Sequence, residues 1–255
     1  VDFEKYIYVG QYEIAYIGRI EKLNVHSHIT WTLCICLDGD FIFHSDELRQ
    51  KVTGPILIPP KWNHTLESKN SLFLFIFFEK YSNFFSKKYD HNTITYLKDP
   101  ITREIKARLN PFSDTNIKNL KFILETYLEN IKISIMEPSY LDPRVEQIID
   151  ILQKNRSTKD ITIANLASKL KLSESRVSHI FKENMGLPIA SYRIWIKIKK
   201  LAKSLESGKD LTYSAQDAGF FDSSHLNRVF KKYFGIVPKK VFLNSKIKWI
   251  VNDGK

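Results

Sequence analysis

The chain has 255 residues, 43% hydrophobic and 26% charged, with a formal net charge of +11. That length allows two ordinary domains, and that balance excludes a disordered chain. The longest apolar run, Leu72 to Phe78, suits a buried strand and is too short to span a membrane; Val1 to Gly10 has neither the basic start nor the apolar core of a leader.

Residues 1–100 read as β structure. Aromatic or β-branched runs at Tyr6–Val9, Tyr12–Ile17, Thr32–Leu37, Phe41–Phe43, Pro55–Ile58 and Leu72–Phe78 are separated by turn residues. Many short strands predict a barrel or sandwich. Asp38-Gly39 between two runs predicts a hairpin. The two cysteines, Cys34 and Cys36, stand two apart on one strand and bridge poorly, so reduced thiols in a cytoplasmic protein are expected.

Two fragments carry candidate ligands. His26-Ser27-His28, with Thr32 and Gly39 beyond it, resembles the first motif of the cupin barrel. Gly54, Pro59, Lys61 and His64 resemble the second. Thr32 stands where metal-binding cupins place Glu, and Lys61 replaces Gly. If the strand runs unbroken, alternation puts His26, His28, Thr32, Cys34 and Cys36 on one face. Such a lining offers a place for a small polar effector or a soft metal ion; the alternative is hydrogen-bonded barrel histidines with no ligand. His44 reads as a hairpin surface residue. A full metal site would add a fourth ligand, and Thr32 is a poor one, so no metal and no cofactor are expected. The candidate effector residues are His26, His28, Thr32 and His64. The expected ligand is a small anion or polar molecule, bound more strongly toward pH ~6 as imidazoles protonate.

From Asp99 to Ile131 the pattern turns helical, with Ile117, Leu120, Ile123, Leu124, Tyr127, Leu128 and Ile131 in one stripe. The stretch from Met136 to Pro143, with two prolines, reads as a linker. Charge changes across it. From Asp142 to Lys255 there are 22 Lys+Arg against 11 Asp+Glu, leaving 17 of each sign before it. Confined to one half, the positive charge reads as a phosphate-binding footprint.

That half is helical throughout in its pattern. Asp142 caps a helix with Pro143 at its first position and Val145, Ile148, Ile149 and Leu152 inward. Thr162 caps Ile163 to Leu170, and Ser173 caps a helix from Glu174 to about Asn184. A long helix follows from Pro188 to about Ser207, with Arg193, Lys197, Lys200 and Lys203 away from its apolar side. Leu211 to Ala218 is a short helix closed at Gly219, and Asp222 caps the helix bearing Leu226, Val229, Phe230 and Phe234. Short helix, tight turn and basic helix make a helix-turn-helix. The pattern occurs twice: Phe181-Lys182, Gly186 and Pro188 recur as Phe230-Lys231, Gly235 and Pro238.

Ser214-Ala215, Gly219-Phe220, Asp222, Ser224, Leu226, Arg228, Phe230-Lys231, Gly235 and Pro238 resemble the C-terminal signature of the AraC-type family of bacterial transcription regulators. Ser214 replaces the usual aliphatic residue and Leu226 an aromatic one. The resemblance implies an α+β chain of two domains. Residues 1–137 would be a cupin-like β-barrel with flanking helices for effector binding and dimerisation. Residues 138–255 would be an all-α DNA-binding domain with helix-turn-helix units at about 163–184 and 211–234. The 117–131 stripe, through Leu120, Leu124, Tyr127 and Leu128, would pair two subunits into a homodimer. Two recognition helices would enter successive major grooves about 34 Å apart. Ser175, Arg176, Ser178, His179 and Lys182 in the first, and Ser223, Ser224, His225, Asn227, Arg228, Lys231 and Lys232 in the second, would contact DNA.

The reading is a non-enzymatic, sequence-specific regulator of promoter DNA. Activation, with RNA polymerase as partner, is implied by the resemblance, and an unidentified small effector by the barrel. Alternatives are control by a partner protein without a small ligand, or a metal-dependent cupin enzyme with a basic appendage.

Overall fold

The computed structural model describes residues 5–10, 13–78, 90, 92–97, 105, 107, 141–154, 161–242 and 247–251. The expected dimerisation residues Leu120, Leu124, Tyr127 and Leu128 lie outside them. The chain divides into two compact units. One comprises Val1–Phe78, Asp90–Glu137 and Phe230–Lys255, the other Glu79–Tyr89 and Pro138–Val229.

The first unit is built on strands β1 (Lys5–Val9), β2 (Glu13–His26), β3 (Trp31–Cys36), β4 (Phe41–Ser45), β5 (Arg49–Val52), β6 (Ile56–Ile58), β7 (His64–Phe78) and β8 (Thr95–Tyr96). β7 is the spine. Along one edge it pairs with β2, from Glu13↔Phe78 to His26↔His64. Along the other it pairs first with β3, from Trp31↔Phe78 to Cys36↔Phe73, and then with β4, from Phe41↔Ser68 to Ser45↔His64. β3 is buried at every position, as is β7 from Ser71 to Phe78, so the sheet is covered on both faces there. This explains the unbroken apolar run in the sequence.

The hairpin expected at Asp38-Gly39 does not form. β3 and β4 do not pair with each other; they follow one another along β7. Asp38 secures the corner between them, one carboxylate oxygen accepting from the Leu72 amide at 2.6 Å and the other pairing with Arg19 at 2.9 Å. The unbroken strand from His26 to Cys36 is also absent: β2 ends at His26 and β3 begins at Trp31. Alternation therefore does not carry the histidines onto the cysteine face.

A strand absent from the sequence reading, β9 (Ile247–Val251), pairs parallel with β1 from Lys5↔Ile247 to Val9↔Val251. The Lys5 ammonium donates to the Lys240 carbonyl at 2.6 Å. These bonds draw residues 230–255 into the sheet unit, whereas the sequence reading kept them with the helices.

The second unit holds α1 (Pro143–Lys154), α2 (Ile163–Leu170), α3 (Glu174–Met185), α4 (Ile189–Glu206) and α5 (Leu211–Asp217). It also holds the first part of α6 (Ser223–Phe234), while α7 (Pro238–Phe242) lies in the sheet unit. Asp142 caps α1 by accepting from the Arg144 amide at 2.9 Å. Val145, Ile148 and Leu152 are its buried face, as the periodicity requires. α4 is buried nearly all round, through Tyr192, Trp195, Ile196, Ile198, Leu201 and Ala202. A helix apolar on nearly every side is a buried core helix.

Candidate functional site

Each helix-turn-helix is set by its caps. Thr162 and Asn165 form a reciprocal capping box on α2, and Ser173 accepts from the Arg176 amide at 3.2 Å to start α3. In the second unit Asp210 accepts from the amides of Thr212 and Tyr213, both at 2.9 Å, and Asp222 accepts from His225 at 2.6 Å. Gly186 and Gly235 end α3 and α6 at φ 69° and 67°. A side chain disfavours that left-handed conformation, which accounts for glycine at both ends.

These caps aim the polar faces outward. Ser175, Arg176, His179 and Lys182 are exposed and Ser178 half-buried. Ser223, Ser224, Asn227, Arg228, Lys231 and Lys232 are exposed. Beneath them Val177, Ile180 and Phe181, and Leu226, Val229 and Phe230, are buried. Two members of the expected set have local work. His179 pairs with Glu183 at 3.1 Å, and the half-buried His225 packs on Phe220, its Nδ1 accepting from the Phe221 amide at 3.3 Å. His225 thereby holds the turn that presents α6. Among the described residues Arg228 makes no ion pair, so its guanidinium is available for a base edge or phosphate.

Two basic residues expected on the solvent side of α4 are recruited inward. The Lys197 ammonium is buried and donates to the Gly219 carbonyl at 2.7 Å, tying α4 to the second turn. Arg193 donates to the Ile161 carbonyl at the entry to α2. Helical periodicity could not reveal either, because the acceptors are carbonyls in turns distant in sequence. Phe221, 73% exposed beside the Asp222 cap, and Tyr213, 50% exposed on α5, were also missed. Apolar groups this exposed beside a recognition helix can meet a thymine methyl.

The histidines of the two cupin-like motifs do converge. His26 and His64 face each other across β2 and β7 with ring centroids 4.2 Å apart; His28 lies 4.8 Å from His26 and 4.9 Å from His64. All three are buried. Each Nδ1 donates to a backbone carbonyl: His26 to Asn24 at 2.8 Å, His28 to Tyr233 at 3.0 Å and His64 to Trp62 at 2.8 Å. Burial lowers their pKa values, to about 4 for His26, to about 3 for His64 and well below the usual value for His28. They stay neutral at pH 6, so the expected protonation-driven anion binding is corrected: these imidazoles offer no positive charge there. Lys61, at the motif glycine's place, takes φ 65°, and its amide donates to the His28 carbonyl at 2.9 Å. Thr32 is buried, with its hydroxyl donating to the Thr30 carbonyl at 3.3 Å. Cys34 and Cys36 are buried and not disulfide-bonded, and burial pushes the Cys34 thiol up, away from the thiolate a soft metal would need.

Beside His28 lies a cavity of about 90 Å³, lined by residues of the sheet unit that include Ile14, Leu23, Phe77, Phe230 and Phe234. Of the four expected effector residues only His28 lines it. The wall is otherwise almost entirely apolar side chain, which suits an apolar ligand rather than the polar one expected.

Residues 166–243 match the model of a helix-turn-helix domain. The arabinose operon regulatory protein of Escherichia coli is 28% identical over 54% of this chain and 46% of its own length. The chain spans about half the length of the curated relatives it matches. ToxT of Vibrio cholerae shares the fold over 91% of this chain and 97% of its own, at a TM-score of 0.58 and 13% identity. A ToxT structure bound to an unsaturated fatty acid covers 91% of this chain and 95% of that one, at 0.52 and 12%. The Escherichia coli relative is named as a regulatory protein, and no described helix of this chain is long and apolar enough to cross a membrane. The signature residues and the helix-turn-helix match make the chain similar to the AraC-type regulators, and the likeness to ToxT shows a shared fold.

Proposed function

We propose that the chain is a sequence-specific DNA-binding transcription regulator, controlled by a small apolar effector in the cavity beside His28. One observation carries the DNA half. Two capped recognition helices each expose a row of hydroxyl, amide and cationic side chains, in the half of the sequence that holds the whole +11 charge. Lys182, Lys231 and Lys232 supply phosphate attraction; Ser175, Arg176, Ser224, Asn227 and Arg228 reach base edges. The apolar cavity wall supports the effector half, and the fatty acid bound by ToxT favours an apolar acid. In this reading the protein works in the cytoplasm on promoter DNA as a homodimeric activator in contact with RNA polymerase.

The test is a titration of the full chain with duplexes from upstream of neighbouring genes. Affinity should fall steeply with salt as counterions are released. Arg228→Ala should cost about 1–3 kcal/mol on the specific site and less on random DNA, whereas Lys231→Ala should weaken both alike. Salt-independent affinity, or no binding at low salt, would overturn the reading.

A further inference from the structure

The turns of the two helix-turn-helix units differ by one residue. Their first helices close on matching bonds: Lys171 N–H to the Ser168 carbonyl and Leu172 to Ala167 in one, Gly219 to Gln216 and Phe220 to Ala215 in the other. The recognition helices also open on matching bonds, Val177 N–H to the Ser173 carbonyl and Leu226 to Asp222. Leu172 runs straight into Ser173, whereas Phe221 stands between Phe220 and Asp222. Phe221 therefore has no counterpart in the first unit. It is 73% exposed, while Phe220 beside it is buried. A single exposed apolar side chain is ordinary on any protein surface. What sets Phe221 apart is its place, directly before the first turn of a recognition helix, the end that meets base edges.

The inserted residue sits on a fixed backbone. The Gly219 carbonyl accepts from the Lys197 ammonium at 2.7 Å, and the same ammonium stands 5.8 Å from the centroid of the Phe220 ring. The Phe221 amide donates to His225 Nδ1 at 3.3 Å, and the Asp222 carboxylate accepts from the His225 amide at 2.6 Å. The chain is thus bonded to α4 on one side of the phenyl group and to the first turn of α6 on the other. A ring with two side-chain torsions, carried on such a backbone, loses little freedom when it meets a partner.

We propose that Phe221 is a specificity-determining residue that selects a thymine at the edge of the half-site read by α6. The inference rests on the DNA-binding reading. A phenyl group offers nothing to a phosphate, which is held by cations and by N–H and O–H donors. It also cannot satisfy the donors and acceptors of the base edges. The apolar group that a base pair presents in the major groove is the C5-methyl of thymine. The exposed Ser223, Ser224, Asn227 and Arg228 serve the hydrogen-bonding edges, and Phe221 adds an apolar one. The first unit makes no such demand. There Ser173 follows Leu172 at once, and its hydroxyl is taken up by the Arg176 amide at 3.2 Å. The thymine requirement therefore belongs to one half-site only.

The experiment uses the full chain to select bound duplexes from a random library, followed by sequencing. One library contains thymine and a second contains uracil, which lacks only the methyl group. Wild type should enrich thymine at one edge position of one half-site in the first library and show no preference for uracil there in the second. That pair of libraries needs no variant to fold. Phe221→Ala should lose this preference and keep the rest of the selected sequence, while the still apolar Phe221→Leu should retain part of it. On the selected duplex, uracil at that position should weaken wild type about four-fold, the worth of one buried methyl group, and leave Phe221→Ala unaffected. An unchanged selected sequence in Phe221→Ala, or uracil enriched as strongly as thymine, would overturn the assignment. So would a Phe221→Ala variant that selects as wild type does but no longer supports transcription, which would move the ring to a contact with another protein. No enrichment by wild type from either library would overturn the proposed function itself, and this assignment with it.

Discussion

The two helix-turn-helix units share a signature and end differently. α3 and α6 close on the same bond, Gly186 N–H to the Lys182 carbonyl and Gly235 N–H to the Lys231 carbonyl. Beyond that bond, only α6 runs into the sheet unit, where Asn24, Ser27 and His28 take up carbonyls of its last turn. Phe234 packs on Phe77 at 5.3 Å beside the cavity. In the proposed reading α3 would serve DNA alone, whereas the last turn of α6 is also held by the sheet unit.

Gly235→Ala breaks the comparison most directly. At Gly186 an alanine pays the left-handed backbone cost, about 1–2 kcal/mol. At Gly235 the new Cβ would also lie 2.6 Å from the Asn24 carbonyl oxygen and 2.7 Å from His26 Nδ1. Strand and helix end must then part, adding about 1–3 kcal/mol. Denaturant unfolding should show Gly235→Ala as the costlier of the two; equal losses would mean that strand and helix end are not in register.

Acid separates the two ends next. His26 and His64, with folded pKa values of about 4 and 3, lie below the unfolded value near 6.5. The unfolded chain binds protons first, so their contribution is complete above pH 6.5 and is lost as pH falls toward 4 and 3. For His26 alone the loss is on the order of 3 kcal/mol. Amide protection factors at Asn24 and Ser27, corrected for intrinsic exchange, should fall between pH ~6.5 and ~4 well before that at Gly186. Equal loss of protection at all three would contradict the placement of the cluster at the end of α6 only.

How much of this is legible in the sequence depends on where each partner sits. The caps at Thr162, Ser173 and Asp222 bond within three residues, so spacing alone reveals them. The pairing of Ile247–Val251 with Lys5–Val9 joins the ends of the chain, and nothing near either end signals it. Register shifts between Ile20 and Lys22 and between Leu23 and His26 hide the second half of β2 by breaking its alternation. The histidines were found through motif resemblance rather than strand geometry, and their neutrality follows from burial that composition does not show. Lys197 was misplaced because its acceptor, the Gly219 carbonyl, is a property of the folded turn.

The smallest effect concerns the helix–helix contact. Leu166 in α2 and Ser214 in α5 are both fully buried, and among the described residues the Ser214 hydroxyl has no hydrogen-bond partner. Ser214→Ala removes an unsatisfied polar atom at little cost in volume and should stabilise the protein by about 1 kcal/mol in thermal melts. Destabilisation would show that the hydroxyl is satisfied by water in solution.

The central claim, that both units read DNA although only one is tied to the sheet, is tested by hydroxyl-radical footprinting of the full chain on its target duplex. Two protected windows about one helical turn apart are expected, with Arg176→Ala weakening one and Arg228→Ala the other. A single window, unchanged by Arg228→Ala, would contradict it.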